Sequence, residues 1–316
     1  MAKTNKENDV DVTQIIDLKS MTDQKITRHN IFEILDQEGG VKQAKVARKM
    51  AKVLKRASNI KRKRDEFKGL KNNNNAIIEV QNVSKYYLSG DVVTRVLKNI
   101  NLTITKGEIV VIVGKSGGGK STLLNLISGL DRPSKGNVIV NNVNLPYLND
   151  SQLTLFRRKN VSFIFQNYNL LQNLSGYDNV ETGAYLQKDK DKKFDINELF
   201  TQFELMDVID KYPSQMSGGQ QQRISVLRAL AKNADIVFAD EPTGALDNKT
   251  TEIVLTTLYE MNQKYGTTII IVTHNPDIEK MASRVIRINN GKISAVKINK
   301  SPVHPSKIEI KENSVI

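Results

Sequence analysis

The sequence predicts an α/β fold on a mostly parallel sheet, with ligand bound at the strands' C-terminal ends, and three observations carry that reading. The stretch Glu108-Ile109-Val110-Val111-Ile112-Val113-Gly114-Lys115-Ser116-Gly117-Gly118-Gly119-Lys120-Ser121-Thr122 reads as a buried strand, a glycine turn and a helix start. Further apolar runs, Val161-Ser162-Phe163-Ile164-Phe165 and Ile236-Val237-Phe238-Ala239, alternate with helical patterns. The second of these ends on the acidic pair Asp240-Glu241.

The chain has 316 residues, enough for a full core in one large or two small domains. Zero cysteines exclude disulfides, zinc ribbons and thiol catalysis, and they suit a reducing compartment. The first ten residues are polar and lack the apolar run of a signal peptide. The runs Ile109-Val110-Val111-Ile112-Val113 and Ile269-Ile270-Ile271-Val272 fall far short of the ~20 residues that span a bilayer. The expectation is a soluble chain, or one peripheral to a membrane component. A net charge of +13 points to an anionic partner.

Residues 1–75 lack proline and end in Asn72-Asn73-Asn74-Asn75, a linker signal by composition. A dense basic block holds Lys42, Lys45, Arg48, Lys49, Lys52, Lys55, Arg56, Lys61, Arg62, Lys63, Arg64, Lys68 and Lys71, opposed only by Asp65 and Glu66. Val46, Met50, Val53, Leu54 and Ala57 share one face at helical spacing, which predicts a basic amphipathic helix. Three uses stay open: a solvated or disordered tail, a helix on an anionic membrane surface, and a nucleic-acid contact.

From Ala76 the pattern changes. Ile77-Ile78-Glu79-Val80 with Val83 reads as a first strand, and Val96-Leu97 and Ile100-Asn101-Leu102-Thr103-Ile104 as further strand. Lys106-Gly107-Glu108 turns the chain into the strand before the glycine loop. Tyr86 and Tyr87 lie just upstream, where an aromatic either stacks on a base or packs at a sheet edge. Val138-Ile139-Val140 is a short strand after the turn at Pro133. Helical spacing over residues 195–212 marks a helical insert between two strands of the sheet. Ser217-Gly218-Gly219-Gln220 opens a helix to about Lys232, a helix spans residues 251–265, and a strand spans 267–272. A hairpin is predicted around Asn290-Gly291, and beyond Asn299 the tail reads as polar and loose.

The spacing G-x-x-x-x-G-K-S has a direct physical reason. A triphosphate needs surrounding donors with no side chains in the way, and Gly114, Gly117, Gly118 and Gly119 let backbone N–H groups turn inward. A helix N-terminus adds positive field, Lys120 reaches the β- and γ-phosphates, and the Ser121 hydroxyl suits Mg²⁺. Asp240 ends a hydrophobic strand where a carboxylate holds Mg²⁺, and Glu241 beside it is positioned to take a proton from water. Ser217-Gly218-Gly219 is a second anion cradle, a hydroxyl N-cap on a glycine-rich helix start. Two cradles and one G-K-S mean that one is a structural cap or serves the nucleotide of another copy. His274 follows a strand and stands within reach of a γ-phosphate.

In order and content these residues resemble the ATP-binding cassette (ABC) ATPases over about two thirds of the chain, residues 77–296. Residues 114–121 match the Walker A loop, with Thr122 following, and Gln166 matches the Q-loop glutamine. Met216-Ser217-Gly218-Gly219-Gln220 is similar to the signature motif, with Met where Leu is usual. Ile236 to Asp240 match Walker B with Glu241 as catalytic glutamate, Ala245-Leu246-Asp247 the D-loop, and His274 the switch histidine. Tyr87 is the better match to the base-stacking aromatic, with Tyr86 as fallback. The runs around Gln166, Ser217 and Asp240 look like the macrolide-exporter, lipoprotein-releasing and FtsE-type cassettes.

The resemblance implies a P-loop NTPase core of RecA type, an antiparallel β subdomain and an α-helical subdomain at about residues 147–232. The cassette would span 76–298, after a basic N-terminal extension, 1–75, and before a polar tail, 299–316. It implies ATP and Mg²⁺ as ligands, with Ser121, Gln166 and Asp240 at the metal and Glu241, His274 and Gln166 catalytic. It also implies a head-to-tail homodimer or pseudo-dimer, with ATP between Lys115, Ser116 and the rest of one Walker A loop and residues 217–220 of the other copy. A separate integral-membrane permease and a place at the inner face of the cell membrane complete the expectation. The alternative, a nucleic-acid-associated cassette, has only the basic block for support. One cassette, a modest insert and no cysteine argue against its chromosomal, translational and zinc-bearing forms, so nucleic acid is not an expected partner.

Overall fold

The computed structural model describes residues 15–16, 25–37, 43–58, 66–244 and 246–309. Within the extension lie β1 (Ile15–Ile16), α1 (Ile31–Gln37), β2 (Gln43–Val46) and α2 (Arg48–Ser58). Then come β3 (Ala76–Ser89), β4 (Val92–Thr105), β5 (Ile109–Val113), α3 (Lys120–Ile127), β6 (Lys135–Val140) and β7 (Val143–Asn144). The helical stretch holds α4 (Asp150–Asn160), strand β8 (Val161–Ile164), α5 (Gly176–Ala184), α6 (Ile196–Gln202) and α7 (Gly218–Lys232). Last are β9 (Ile236–Asp240), α8 (Asn248–Tyr265), β10 (Thr268–Val272), β11 (Arg284–Asn289) and β12 (Lys292–Ile298).

Two sheets organise these elements, in the orders β1-β2-β4-β3-β6-β7 and β12-β11-β5-β10-β9-β8. The second is parallel from β11 to β8, with β12 added antiparallel through a hairpin. Its central strands β5, β9 and β10 are nearly continuous apolar runs because both faces are covered. Val111, Val237 and Ile271 enter one core with the helices α5 to α8, while Val110, Phe238 and Ile270 enter another beneath the first sheet. Alternate residues of one strand thereby supply two cores. Because β5, β8, β9 and β10 run the same way, the glycine loop, Gln166, Glu241 and His274 all follow strands that finish at one rim.

Several sequence expectations need correction. Two strands of 14 residues replace the broken runs expected between Ala76 and Ile104. The apparent breaks are bulges, where Asn82 and Asn99 take positive φ and the register shifts. The helix expected over 195–212 stops at Gln202, since Glu204 turns left-handed and two short 3₁₀ turns follow. The asparagine run is not an open linker. The side-chain oxygens of Asn72 and Asn142 accept from each other's backbone N–H, and Asn73 donates to the buried Glu79. The tail is held as far as Ile308, which is buried, while Val303 N–H donates to Lys280 and His304 packs edge-on to Tyr259.

The extension is also more than a charged tail. Strand β2 pairs with the edge of β4, and α2 forms where the basic helix was expected, though Lys42 and Lys61 to Arg64 lie outside the described residues. Its apolar face is already occupied. Leu54 and Ala57 are buried with Ile31, Phe32, Leu35, Tyr86 and Val93, and Phe32 stacks on Tyr86 at 5.6 Å. Asp36 accepts hydrogen bonds from Ser84 Oγ and Tyr86 Oη, both at 2.7 Å, and lies 3.6 Å from Lys135. A helix lying apolar face down in a bilayer is therefore excluded for α2.

Leu54 is only 1% exposed, so Leu54→Ala leaves a cavity at this junction. The expected loss is about 2–5 kcal/mol of local stability. Native-state hydrogen exchange should show faster exchange across α2 with β9 and β10 unchanged. Unaltered α2 protection would refute the docking.

Candidate nucleotide-binding site

A cavity of about 500 Å³ opens at the rim and is lined by Val96, residues 116–122, Gln166, Glu241 and His274. The loop that floors it can be built only with glycine at key positions. A Cβ on Gly114 would sit 2.1 Å from Ile288 O, and one on Gly118 2.9 Å from Lys115 O. Gly119, the N-cap of α3, has φ +103, and a Cβ there would meet Leu97 at 2.8 Å. This packing leaves the start of α3 turned toward the cavity, where its positive end favours an anion.

Lys120 Nζ folds back onto the loop, donating to Gly114 O at 2.9 Å and Lys115 O at 3.2 Å. Ser121 Oγ donates to Asp240 Oδ1 at 3.2 Å. Burial pushes the Asp240 carboxyl above the ordinary carboxylate range, opposed by the Ser121 hydroxyl and helped by the charge of Glu241. Glu241 sits in the left-handed region at φ +49, held by its N–H to Val272 O at 2.9 Å. Its Oε1 lies 3.0 Å from His274 Nδ1, and the imidazole is far more exposed than the carboxylate. A carboxylate, an imidazole and an amide, that of Gln166, thus converge opposite a lysine and a helix N-terminus. That arrangement can hold a polyphosphate and take a proton from water beside it.

The other sequence-predicted residues fall outside the cavity lining. Gly114, Lys115 and Asp240 lie behind it as supports. Ser217 caps α7: its Oγ accepts from Gln220 N–H at 3.3 Å while Gln220 Oε1 accepts from Ser217 N–H at 2.9 Å. Ser217 and Gly218 are exposed, Gly219 and Gln220 partly so, and none reaches this chain's own cavity. Asp247 caps α8 through the Thr250 N–H, which holds its carboxyl below the usual range, while Ala245 lies outside the described residues.

The two tyrosines separate cleanly. Tyr86 is buried against Phe32, whereas Tyr87 is 42% exposed. Burial and the bond from its hydroxyl to Asp131 Oδ2 at 2.8 Å raise the Tyr87 phenol. Lys85 Nζ sits 4.6 Å from the Tyr87 ring centre and bonds Asp131 Oδ1 at 2.7 Å. Burial would raise Asp131, but the donors Lys85 and Tyr87 outweigh it and hold it low. Sequence reading missed Val96, Lys85 and Asp131, since nothing in their spacing joins them to the loop. A second cavity of about 480 Å³ lies between α2, β3 and α4, but its Lys85 and Arg132 are paired with Asp131 and Asp150 and no catalytic-type cluster faces it.

Comparison with known proteins gives the same picture. A family profile for the ABC transporter domain matches residues 97–244. An ABC transporter ATP-binding protein of Mycoplasma pneumoniae is 49% identical over 226 residues, 72% of this chain and 49% of the relative. The macrolide export ATP-binding/permease protein MacB of Haemophilus ducreyi is 45% identical over 69% of this chain and 31% of its own length. The chain thus spans about half or less of these two relatives. A dimeric structure of the cassette MJ0796 from Methanocaldococcus jannaschii, in a post-hydrolysis state with ADP and Pi, has a TM-score of 0.65 and 36% identity. That match covers 70% of this chain and 98% of MJ0796.

Lys120→Ala removes a cation that bonds the loop's own carbonyls. A charged hydrogen bond lost on this scale should weaken nucleotide binding by about 10- to 100-fold. Titration with a fluorescent ATP analogue checks it, and unchanged affinity would end this assignment.

Proposed function

As this chain belongs to the ABC transporter family of ATP-binding cassettes, we propose that it is the ATP-hydrolysing subunit of a membrane export or mechanotransmission complex. In this reading two cassettes close around two ATP molecules and drive a separate integral-membrane permease. The observation that carries it is the Ser217 cradle. This is an exposed, capped helix start with two glycines that takes no part in its own chain's cavity. A second copy, turned head to tail, brings that cradle to the open side of the residues 116–122 loop. That MJ0796 is dimeric in a post-hydrolysis state with ADP and Pi supports the pairing of two cassettes.

Within each site the backbone N–H groups of residues 114–119 and Lys120 surround the β- and γ-phosphates, and Tyr87 supplies an exposed ring for adenine. Ser121 and Asp240 fit Mg²⁺, being hard oxygen donors 3.2 Å apart beside the phosphate loop, with the Gln166 side-chain oxygen available from the next strand end. When bound, Mg²⁺ neutralises charge on the phosphate oxygens. Glu241 accepts the proton of the attacking water, giving ADP and phosphate, and His274, 3.0 Å away, fixes its carboxylate and faces the γ-phosphate. Asp247, at the cap of α8, lies on the side of the partner cassette. Cleavage leaves like charges in the closed interface, and ATP thereby acts as a ligand specific for the closed state.

Support for a membrane partner comes from the helical region, where Leu155, Leu171, Tyr185, Met206 and Tyr212 are exposed. Gln166 joins that region to the cavity. Among the described residues no helix is long and apolar enough to cross a membrane. The proposed location is the inner face of the cell membrane.

Glu241→Gln tests the reading. It should retain ATP, lose turnover by about 10²- to 10⁴-fold and accumulate a dimer on size exclusion. Turnover near that of the unaltered chain, or a monomer with ATP bound, would overturn it.

A further inference from the structure

Helix α2 presents Arg48, Lys49, Lys52, Lys55 and Arg56 outward, all five exposed, and contains no acid. Among the described residues none of the five has a carboxylate within ion-pair distance. Arg48 and Lys49 sit in the first turn, where the helix dipole disfavours cations. Lys52 lies four residues from Arg48 and Arg56 and three from Lys49 and Lys55, each a repulsive spacing. The helix is held instead by Leu54 and Ala57 in the core against Tyr86. Lys55 and Arg56 in the last turn suit the helix dipole, but the face as a whole carries five cations with no counter-charge among the described residues and is open to an anionic surface.

Two features define that partner. The apolar face of α2 is spent on the cassette, so the contact is electrostatic and made with a surface. The helix has no aromatic side chain to stack on a base, which disfavours single-stranded nucleic acid. Residues 42–71 hold thirteen basic side chains against two acidic, a net +11 of the chain's +13, so the field is concentrated on this one segment. We propose that the outward face of α2 adsorbs to the headgroups of an anionic lipid surface, with its apolar face remaining docked. Choosing lipid over nucleic acid rests on the membrane-complex reading above. Vesicles without permease test the surface by itself, so failure here leaves the ATPase assignment standing.

The experiment uses the full chain with vesicles of phosphatidylcholine alone or mixed with phosphatidylglycerol, read by cosedimentation. Binding is expected only to the mixed vesicles and is lost in high salt. The variant Lys49→Gln/Lys52→Gln/Lys55→Gln should bind roughly fivefold more weakly per cation removed, about a hundredfold in total. Its thermal unfolding should be no lower than that of the unaltered chain, since repulsive pairs are removed, and its ATP turnover should match; Lys49→Arg/Lys52→Arg/Lys55→Arg should keep the binding. Equal binding by the glutamine variant, equal binding to neutral vesicles, or retention of duplex DNA or RNA with no vesicle binding would each overturn the proposal.

Discussion

Ile288 O stands 2.1 Å from the point where a side chain of residue 114 would begin, and the site depends on that contact. The phosphate loop is wedged against the tip of the β11–β12 hairpin rather than resting on the sheet alone. Gly291 N–H donates to Gly118 O at 3.1 Å, and Lys98 N–H donates to Gly291 O at 2.9 Å. A Cβ on Gly291 would in turn meet Val96 O at 2.2 Å. Loop, hairpin tip and β4 interlock through backbone alone, and this joins the antiparallel sheet to the parallel one. Side chains on the loop or the hairpin tip would separate the two sheets as well as block phosphate.

Strand direction then does the rest. Four parallel strands end together, so a residue one to three places beyond each end reaches the cavity without a long loop. The cost appears at Glu241, which takes a left-handed backbone while its N–H bonds to the end of β10. That strain turns the carboxylate toward His274 instead of along the strand. Asp240 faces the opposite demand: partly buried and beside a second acid, its carboxyl is easier to protonate than usual. Partial burial of a paired acid set is how a site keeps two carboxylates in different roles.

Much of this was legible in the sequence because it rests on local chemistry. The loop spacing, the apolar strand ending in Asp240-Glu241 and the Asn290-Gly291 hairpin each carry their own signal; Asn290 and Gly291 have φ +47 and +72, as such a turn requires. What escaped was set by distant partners. Lys85 and Asp131 are 46 residues apart and meet only when β3 and the loop after α3 are assembled. The bulges at Asn82 and Asn99 looked like strand ends because asparagine at positive φ is also a turn signal. The basic helix was readable as amphipathic, but periodicity does not say what covers its apolar face.

That cover also decides which tyrosine stands free. Neighbouring strand residues point to opposite faces, so only one of Tyr86 and Tyr87 can turn toward the side of the phosphate loop. Tyr86 is committed to Phe32 and Asp36 of the extension, which leaves Tyr87 exposed over Lys85 and tied to Asp131. The β3–β4 register shifts between Lys85 and Tyr86, immediately before this pair. A slip of one residue would exchange the two rings, exposing Tyr86 and breaking its bond to Asp36. The extension buries Tyr86 in the same register that presents Tyr87. One buried phenol and one carboxylate thus tie the extension to strand β3 of the cassette.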